Sequence, residues 1–138
     1  MNNKELIEAA LTARRFAYSP YSGYSVGAAL LSADGSVYTG CNIENSVFTP
    51  TNCAERTAFF KAVSEGKRSF VRIAVVGGKA SENPSDTCTP CGVCRQVMNE
   101  FCTPDFEIIT ASSPDEYTIV TLGELLPRAF DKSEVLSD

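Results

Sequence analysis

The chain has 138 residues, 43% hydrophobic and 21% charged, the composition of a globular domain and not of a disordered, collagenous or coiled-coil chain. Twelve Lys and Arg against seventeen Asp and Glu leave a net charge of −5 with the basic residues scattered, so the concentrated basic surface that a phosphate backbone requires is missing. No apolar run approaches the ~20 residues of a membrane span, and the charged start Met1-Asn2-Asn3-Lys4-Glu5 does not read as a secretion signal.

In chain order, residues 3–18 are predicted as a helix, capped by Asn2 or Asn3, with Leu6, Ile7, Ala10, Leu11 and Ala17 at helical spacing. Ser19-Pro20-Tyr21-Ser22-Gly23 reads as a turn. Tyr24 to Ser32 reads as a strand, Asp34-Gly35 as a hairpin turn and Val37 to Cys41 as the returning strand. A polar loop over residues 42–52 leads into a helix from Asn52 or Cys53 to Glu65, stopped by Gly66. Val71 to Val76 is a β-branched strand, residues 77–90 are expected as loop, and a third helix runs from just after Pro90 to near Phe101. Phe106 to Ala111 and Tyr117 to Val120 are further strands, and Leu122 to Leu126 a short helix before Pro127. This order predicts a three-layer α/β/α sandwich around a mixed five-stranded sheet, one domain over residues 1–138.

The chain has no histidine, so a catalytic base must be a carboxylate, Lys, Tyr or Cys. It has six cysteines, at 41, 53, 88, 91, 94 and 102, which in a reducing compartment point to metal or thiol chemistry and not to disulfides. Cys53-Ala54-Glu55 opens the second predicted helix, and Pro90-Cys91-Gly92-Val93-Cys94 opens the third. Helix N-termini favour negative charge and lower thiol pKa. Three thiolates on Zn²⁺ leave the fourth position open to water. Glu55 is then free to accept a proton beside that position, and Arg56 to donate hydrogen bonds to the sulfurs, offsetting their surplus charge.

Other readings of the same residues stay open. Cys88 or Cys41 could complete a four-ligand structural zinc site. A redox dithiol is a further reading of Cys-x-x-Cys, although that motif is expected after an early strand. Cys88 and Cys91 form a second, overlapping Cys-x-x-Cys, and the Pro90 start of the helix favours Cys91 with Cys94. Cys41 and Cys102 lie at apolar-patterned positions and read as inert buried thiols. Asn42 and Glu44, two apart in an extended segment, face one side, where an amide and a carboxylate suit a polyol and repel a phosphorylated sugar. A solvated turn is the plainer alternative for that pair.

Cys-Ala-Glu followed by Pro-Cys-x-x-Cys matches the zinc deaminase signature. Over nearly its whole length the chain resembles the small cytidine deaminases. The stretches that carry the resemblance are Tyr21-Ser22-Gly23-Tyr24-Ser25-Val26-Gly27-Ala28-Ala29-Leu30, Gly40-Cys41-Asn42-Ile43-Glu44-Asn45, Cys53-Ala54-Glu55-Arg56-Thr57-Ala58, Pro90-Cys91-Gly92-Val93-Cys94-Arg95-Gln96 and Leu125-Leu126-Pro127-Arg128-Ala129-Phe130. The resemblance implies zinc-dependent hydrolysis of cytidine and 2′-deoxycytidine to uridine, 2′-deoxyuridine and ammonia, in cytoplasmic pyrimidine salvage. It implies one Zn²⁺ per chain on Cys53, Cys91 and Cys94, with Glu55 as the proton shuttle that also reads ring N3. By the same resemblance Asn42 and Glu44 hold the ribose 3′-hydroxyl, the backbone of Ala54 contacts the base, and the carbonyl of Thr89 faces the departing amino group. Tyr24, where the family often has Phe, flanks the nucleoside. Phe130 reaches a neighbouring subunit's pocket in a homotetramer, and Phe48 stands where a Tyr is usual. Three rivals remain: a deaminase of blasticidin-type nucleoside antibiotics, a nucleic-acid editor, which the net charge of −5 opposes, and a zinc-binding module without activity.

Overall fold

Helices are interspersed with single strands and strand pairs along the chain in the computed structural model, which describes residues 1–85 and 88–136. In order they are α1 (Asn3–Arg14), β1 (Tyr24–Ser32), β2 (Val37–Cys41), α2 (Ala54–Ser64), β3 (Phe70–Lys79), α3 (Gly92–Phe101), β4 (Glu107–Ser113), β5 (Glu116–Thr121) and α4 (Leu122–Leu125), followed by a single 3₁₀ turn (Lys132–Glu134). The five strands form one mixed sheet in the order β2-β1-β3-β4-β5. β3 and β4 are parallel, as their connection through α3 requires; the other neighbours are antiparallel.

Strand alternation divides the core between the two faces of the sheet. Ala29, Leu31, Ala74, Val76, Ile109 and Ala111 pack against Leu6, Ile7 and Ala10 of α1. Ala28, Leu30, Ile73, Val75 and Ile108 pack on the opposite face against Ala58, Phe59 and Ala62 of α2 and Cys94 and Met98 of α3. The result is the expected α/β/α sandwich with a mixed five-stranded sheet. Phe59 is fully buried, its ring centroid 5.1 Å from Phe70, 6.2 Å from Phe106 and 6.4 Å from Phe101. One aromatic cluster thereby holds α2 and α3, whose first turns carry the thiols, against the sheet.

Gly40 sets where α2 begins. A Cβ there would lie 2.5 Å from the Ala54 carbonyl oxygen and 2.7 Å from the Ala58 nitrogen, so only glycine lets β2 run this close to the helix backbone.

Most boundaries fall within one or two residues of the sequence expectation, and two differ by more. α1 ends at Arg14 and not at residue 18. Ala17 continues the helical period, but Tyr18 instead pairs with the Asn42–Glu44 segment: its N–H donates to the Asn42 carbonyl at 3.0 Å and its carbonyl accepts from Glu44 at 2.9 Å. β3 extends to Lys79, through residues expected as loop, because Gly77 and Gly78 pair with Val26 and Ser25 of β1. A Cβ on Gly77 would meet Cys88 Sγ at 2.4 Å, so the glycine marks a close approach within a strand and not a break in it.

Candidate active site

Cys53 and Cys91 are the N-cap residues of α2 and α3, and Cys94 lies in the first turn of α3. Cys53 Sγ is 3.7 Å from Cys91 Sγ, and Cys91 Sγ is 3.5 Å from Cys94 Sγ. All three sulfurs lie within 4.8 Å of one another, and among the described residues this cluster does not include Cys88. A tetrahedral zinc ion with bonds of about 2.3 Å holds its sulfurs about 3.8 Å apart, so the donor set and its spacing fit Zn²⁺. Two helix N-termini and the Arg56 guanidinium, which donates to Cys53 Sγ at 3.2 Å, supply the positive potential that a thiolate cluster requires. Hydrogen bonds from Cys94 and then Arg56 pull Cys53 down to about 5; the same Cys53 contact pushes Cys94 up.

Glu55 sits beside the thiols and is 5% exposed. Burial raises its carboxyl to about 7, with the Cys53 charge adding to the effect. A carboxyl poised near neutral pH both accepts and returns a proton readily.

A cavity of about 420 Å³ brings Glu55, Cys53 and Cys91 together with Tyr24, Asn42, Glu44, Ala54 and Thr89. Eight of the residues predicted from sequence therefore share one cavity. Cys94 is buried behind it, and Arg56 reaches it through Cys53 Sγ. Phe130 is not in it: its ring is 63% exposed and borders a separate depression with Gln96, Val135 and Leu136. A larger depression, about 610 Å³ around Arg68, Asn99 and Lys132, shares no residue with the thiol cavity and brings together no comparable chemistry.

Asn42 and Glu44 are locked in place. Asn42 Oδ1 accepts from the Val26 N–H at 2.8 Å, and its Nδ2 donates to the Tyr24 carbonyl at 2.8 Å. Glu44 Oε1 accepts from the N–H groups of Tyr21 and Ser22 at 2.9 and 3.1 Å, and Oε2 accepts from the Ser22 hydroxyl. The Ser22 hydroxyl, assisted by the two backbone donors, holds Glu44 below the usual carboxylate range. Spare capacity remains for a ligand hydroxyl, in the second Asn42 amide hydrogen and the unused carboxylate lone pairs.

Sequence reasoning missed Ser22, which it took only as a turn residue, and Arg95. Arg95 Nε donates to the Pro90 carbonyl at 2.7 Å and a terminal nitrogen to the Leu125 carbonyl at 2.8 Å, bracing the loop that leads into Cys91. The signal for Ser22 was available: two consecutive turn N–H groups and a hydroxyl make an anion cradle. Cys41 and Cys102, expected as buried thiols, are only partly buried; burial nonetheless pushes the Cys102 thiol up to about 12 and raises Cys41 as well.

A family model described as the cytidine and deoxycytidylate deaminase zinc-binding region matches residues 1–110. The chain belongs to that deaminase family. It is 49% identical to a cytidine deaminase from Sporosarcina psychrophila over 98% of this chain and 96% of the relative. A cytidine deaminase from Halalkalibacterium halodurans is 48% identical over 98% of both chains. The crystal structure of cytidine deaminase from Burkholderia pseudomallei superposes with a TM-score of 0.85 at 45% identity, covering 94% of this chain and all of that one. Zinc is the cofactor of this family member, and the clustered thiols are a donor set that fits it.

Proposed function

We propose that the protein hydrolyses cytidine and 2′-deoxycytidine to the corresponding uridines and ammonia, with Cys53, Cys91 and Cys94 holding one Zn²⁺. When bound, the ion supplies Lewis acidity that makes water nucleophilic near neutral pH. Glu55 accepts a proton from the attacking water and delivers it to ring N3 as the oxygen bonds to C4. It then carries the second water proton to the amino group, which departs as ammonia; Glu55 ends the cycle unprotonated. The Thr89 carbonyl receives that amino group, the Ala54 backbone contacts the base and Tyr24 flanks it. Asn42 and Glu44 hold the 3′-hydroxyl in the orientation fixed by their own hydrogen bonds. Arg56, donating to Cys53 Sγ, offsets part of the negative charge that the thiolates bring to the ion.

The observation that carries this reading is one cavity containing a buried carboxyl near neutral pKa, clustered thiols and a pre-oriented Asn–Glu pair. A site built to bond a hydroxyl rejects analogues lacking it, and the Glu44 charge opposes a phosphate on the sugar. Cytidine should therefore exceed both cytosine and CMP in kcat/KM, followed by loss of absorbance. Equal values for all three would remove Asn42 and Glu44 from sugar recognition.

The same reading places the protein in the cytoplasm, in pyrimidine salvage, as a homotetramer in which Phe130 covers a neighbour's nucleoside. The exposure of the Phe130 ring and of Tyr24, 63% and 38%, supports that arrangement. No helix among the described residues is long and apolar enough to cross a membrane.

A further inference from the structure

The segment after α4 is largely exposed from Pro127 to Leu136, yet its backbone is tied to α3 by side-chain hydrogen bonds. Gln96 Nε2 donates to the Phe130 carbonyl at 2.8 Å, and Asn99 Nδ2 donates to the same oxygen at 3.2 Å. The two amides lie three residues apart and so share one face of α3. Both lone pairs of a carbonyl outside any strand or helix are thereby used. Upstream, Arg95 of the same helix holds the Leu125 carbonyl at 2.8 Å, and Arg128 turns the chain at φ 53°. The segment is anchored at both ends to the helix that begins at Cys91. The Phe130 ring nevertheless stays 63% exposed. Two side chains thus fix the backbone of an aromatic residue that its own chain does not bury. Holding a contact residue in place beforehand lowers the entropy lost when it docks.

We propose that Gln96 and Asn99 are positioning residues whose amides aim Phe130 into the nucleoside cavity of a second copy of the chain. This rests on the reading that Phe130 acts across a subunit interface, and it identifies what directs the ring there.

The test replaces both donors with apolar side chains of similar size, Gln96→Met with Asn99→Leu, alongside Phe130→Ala. Zinc content, thermal midpoint, light-scattering mass, kcat and KM for cytidine are measured on each zinc-replete protein. Stacking of one aromatic ring on one base makes a roughly five- to hundredfold difference, so Phe130→Ala raises KM within that range. The double variant raises KM by about fivefold or more, with zinc, mass and kcat close to wild type. A role only in stability would lower the thermal midpoint and leave KM unchanged. Gln96→Met alone, which removes the shorter bond, gives part of the KM rise and serves if the double variant folds poorly. Mixing the double variant with Glu55→Gln under subunit exchange restores part of the wild-type KM, because intact clamps then face intact Glu55 sites. A normal KM in the double variant beside a raised KM in Phe130→Ala overturns the clamp and leaves the role of Phe130 standing. A normal KM in Phe130→Ala overturns the reading beneath it. A raised KM that mixing does not restore shows that the clamp serves its own chain, which also overturns the proposal.

Discussion

Gly40→Ala tests whether the approach of β2 to α2 fixes the catalytic geometry. The added Cβ would lie 2.5 Å from the Ala54 oxygen, 2.7 Å from the Ala58 nitrogen and 3.0 Å from Thr57 Cβ. Carbon–oxygen contacts settle at about 3.3–3.6 Å, a shortfall of roughly 0.8–1.1 Å. The first two obstacles are backbone, so no rotamer change relieves them, and the start of α2 must withdraw or β2 must bend. Withdrawal carries Cys53 and Glu55 with it, and strains the Thr57 hydroxyl bond to the Cys41 carbonyl, now 3.1 Å. Overpacking of this kind costs about 1–3 kcal/mol. A displacement near 1 Å at catalytic groups costs on the order of 10²-fold in rate. Urea unfolding of the zinc-bound protein should show a loss in the first range, and cytidine kinetics a fall in kcat/KM in the second. Wild-type values in both assays would refute the claim that this contact sets the position of α2.

Glu55→Gln should retain zinc and lose about 10²- to 10⁴-fold in kcat; activity within a few-fold of wild type would remove Glu55 from proton transfer. The raised Glu55 pKa also has a sign in stability. Between the ordinary 4.5 and about 7 the folded state keeps a proton that the unfolded state has lost, so this group's contribution falls as pH rises. In zinc-stripped protein, Glu55→Gln should therefore gain stability relative to wild type by about 2.5 kcal/mol between pH 5 and 8, and parallel pH profiles would contradict burial of the charge as the cause. Ser22→Ala deletes a charge-assisted bond to Glu44 and should raise KM for cytidine by about tenfold with kcat little changed; an unchanged KM would show that Glu44 needs no such support. Cys94→Ala should empty the metal site while Cys88→Ala keeps zinc; metal analysis giving the reverse would move the ligand pair to Cys88 and Cys91.

The parts of the site legible in the sequence are those set by local rules. Cys53 and Cys91 could be placed at helix starts because Pro90 and the apolar period after each cysteine act over a few residues. Asn42 and Glu44 could be placed on one side because an extended chain has period two. What could not be read is whatever depends on distant pairing. The end of α1 was placed too late because Tyr18 is taken by Ile43 and its neighbours, a partner 25 residues away that leaves no mark on the helical period of Ala17. Ser22 meets Glu44 across 22 residues, and Gln96 meets Phe130 across 34. The order of the sheet, with β1 between β2 and β3, likewise rests on pairing between distant residues, Ser25 with Gly78 and Leu30 with Ile73.

The most direct test of the account is a zinc titration of stripped protein, following ammonia and uridine formation from cytidine together with bound metal. The account predicts negligible turnover without zinc, activity rising in proportion to bound metal, and saturation at one ion per chain. Full turnover in zinc-free protein, or stoichiometric zinc binding with no ammonia released from cytidine, would contradict it.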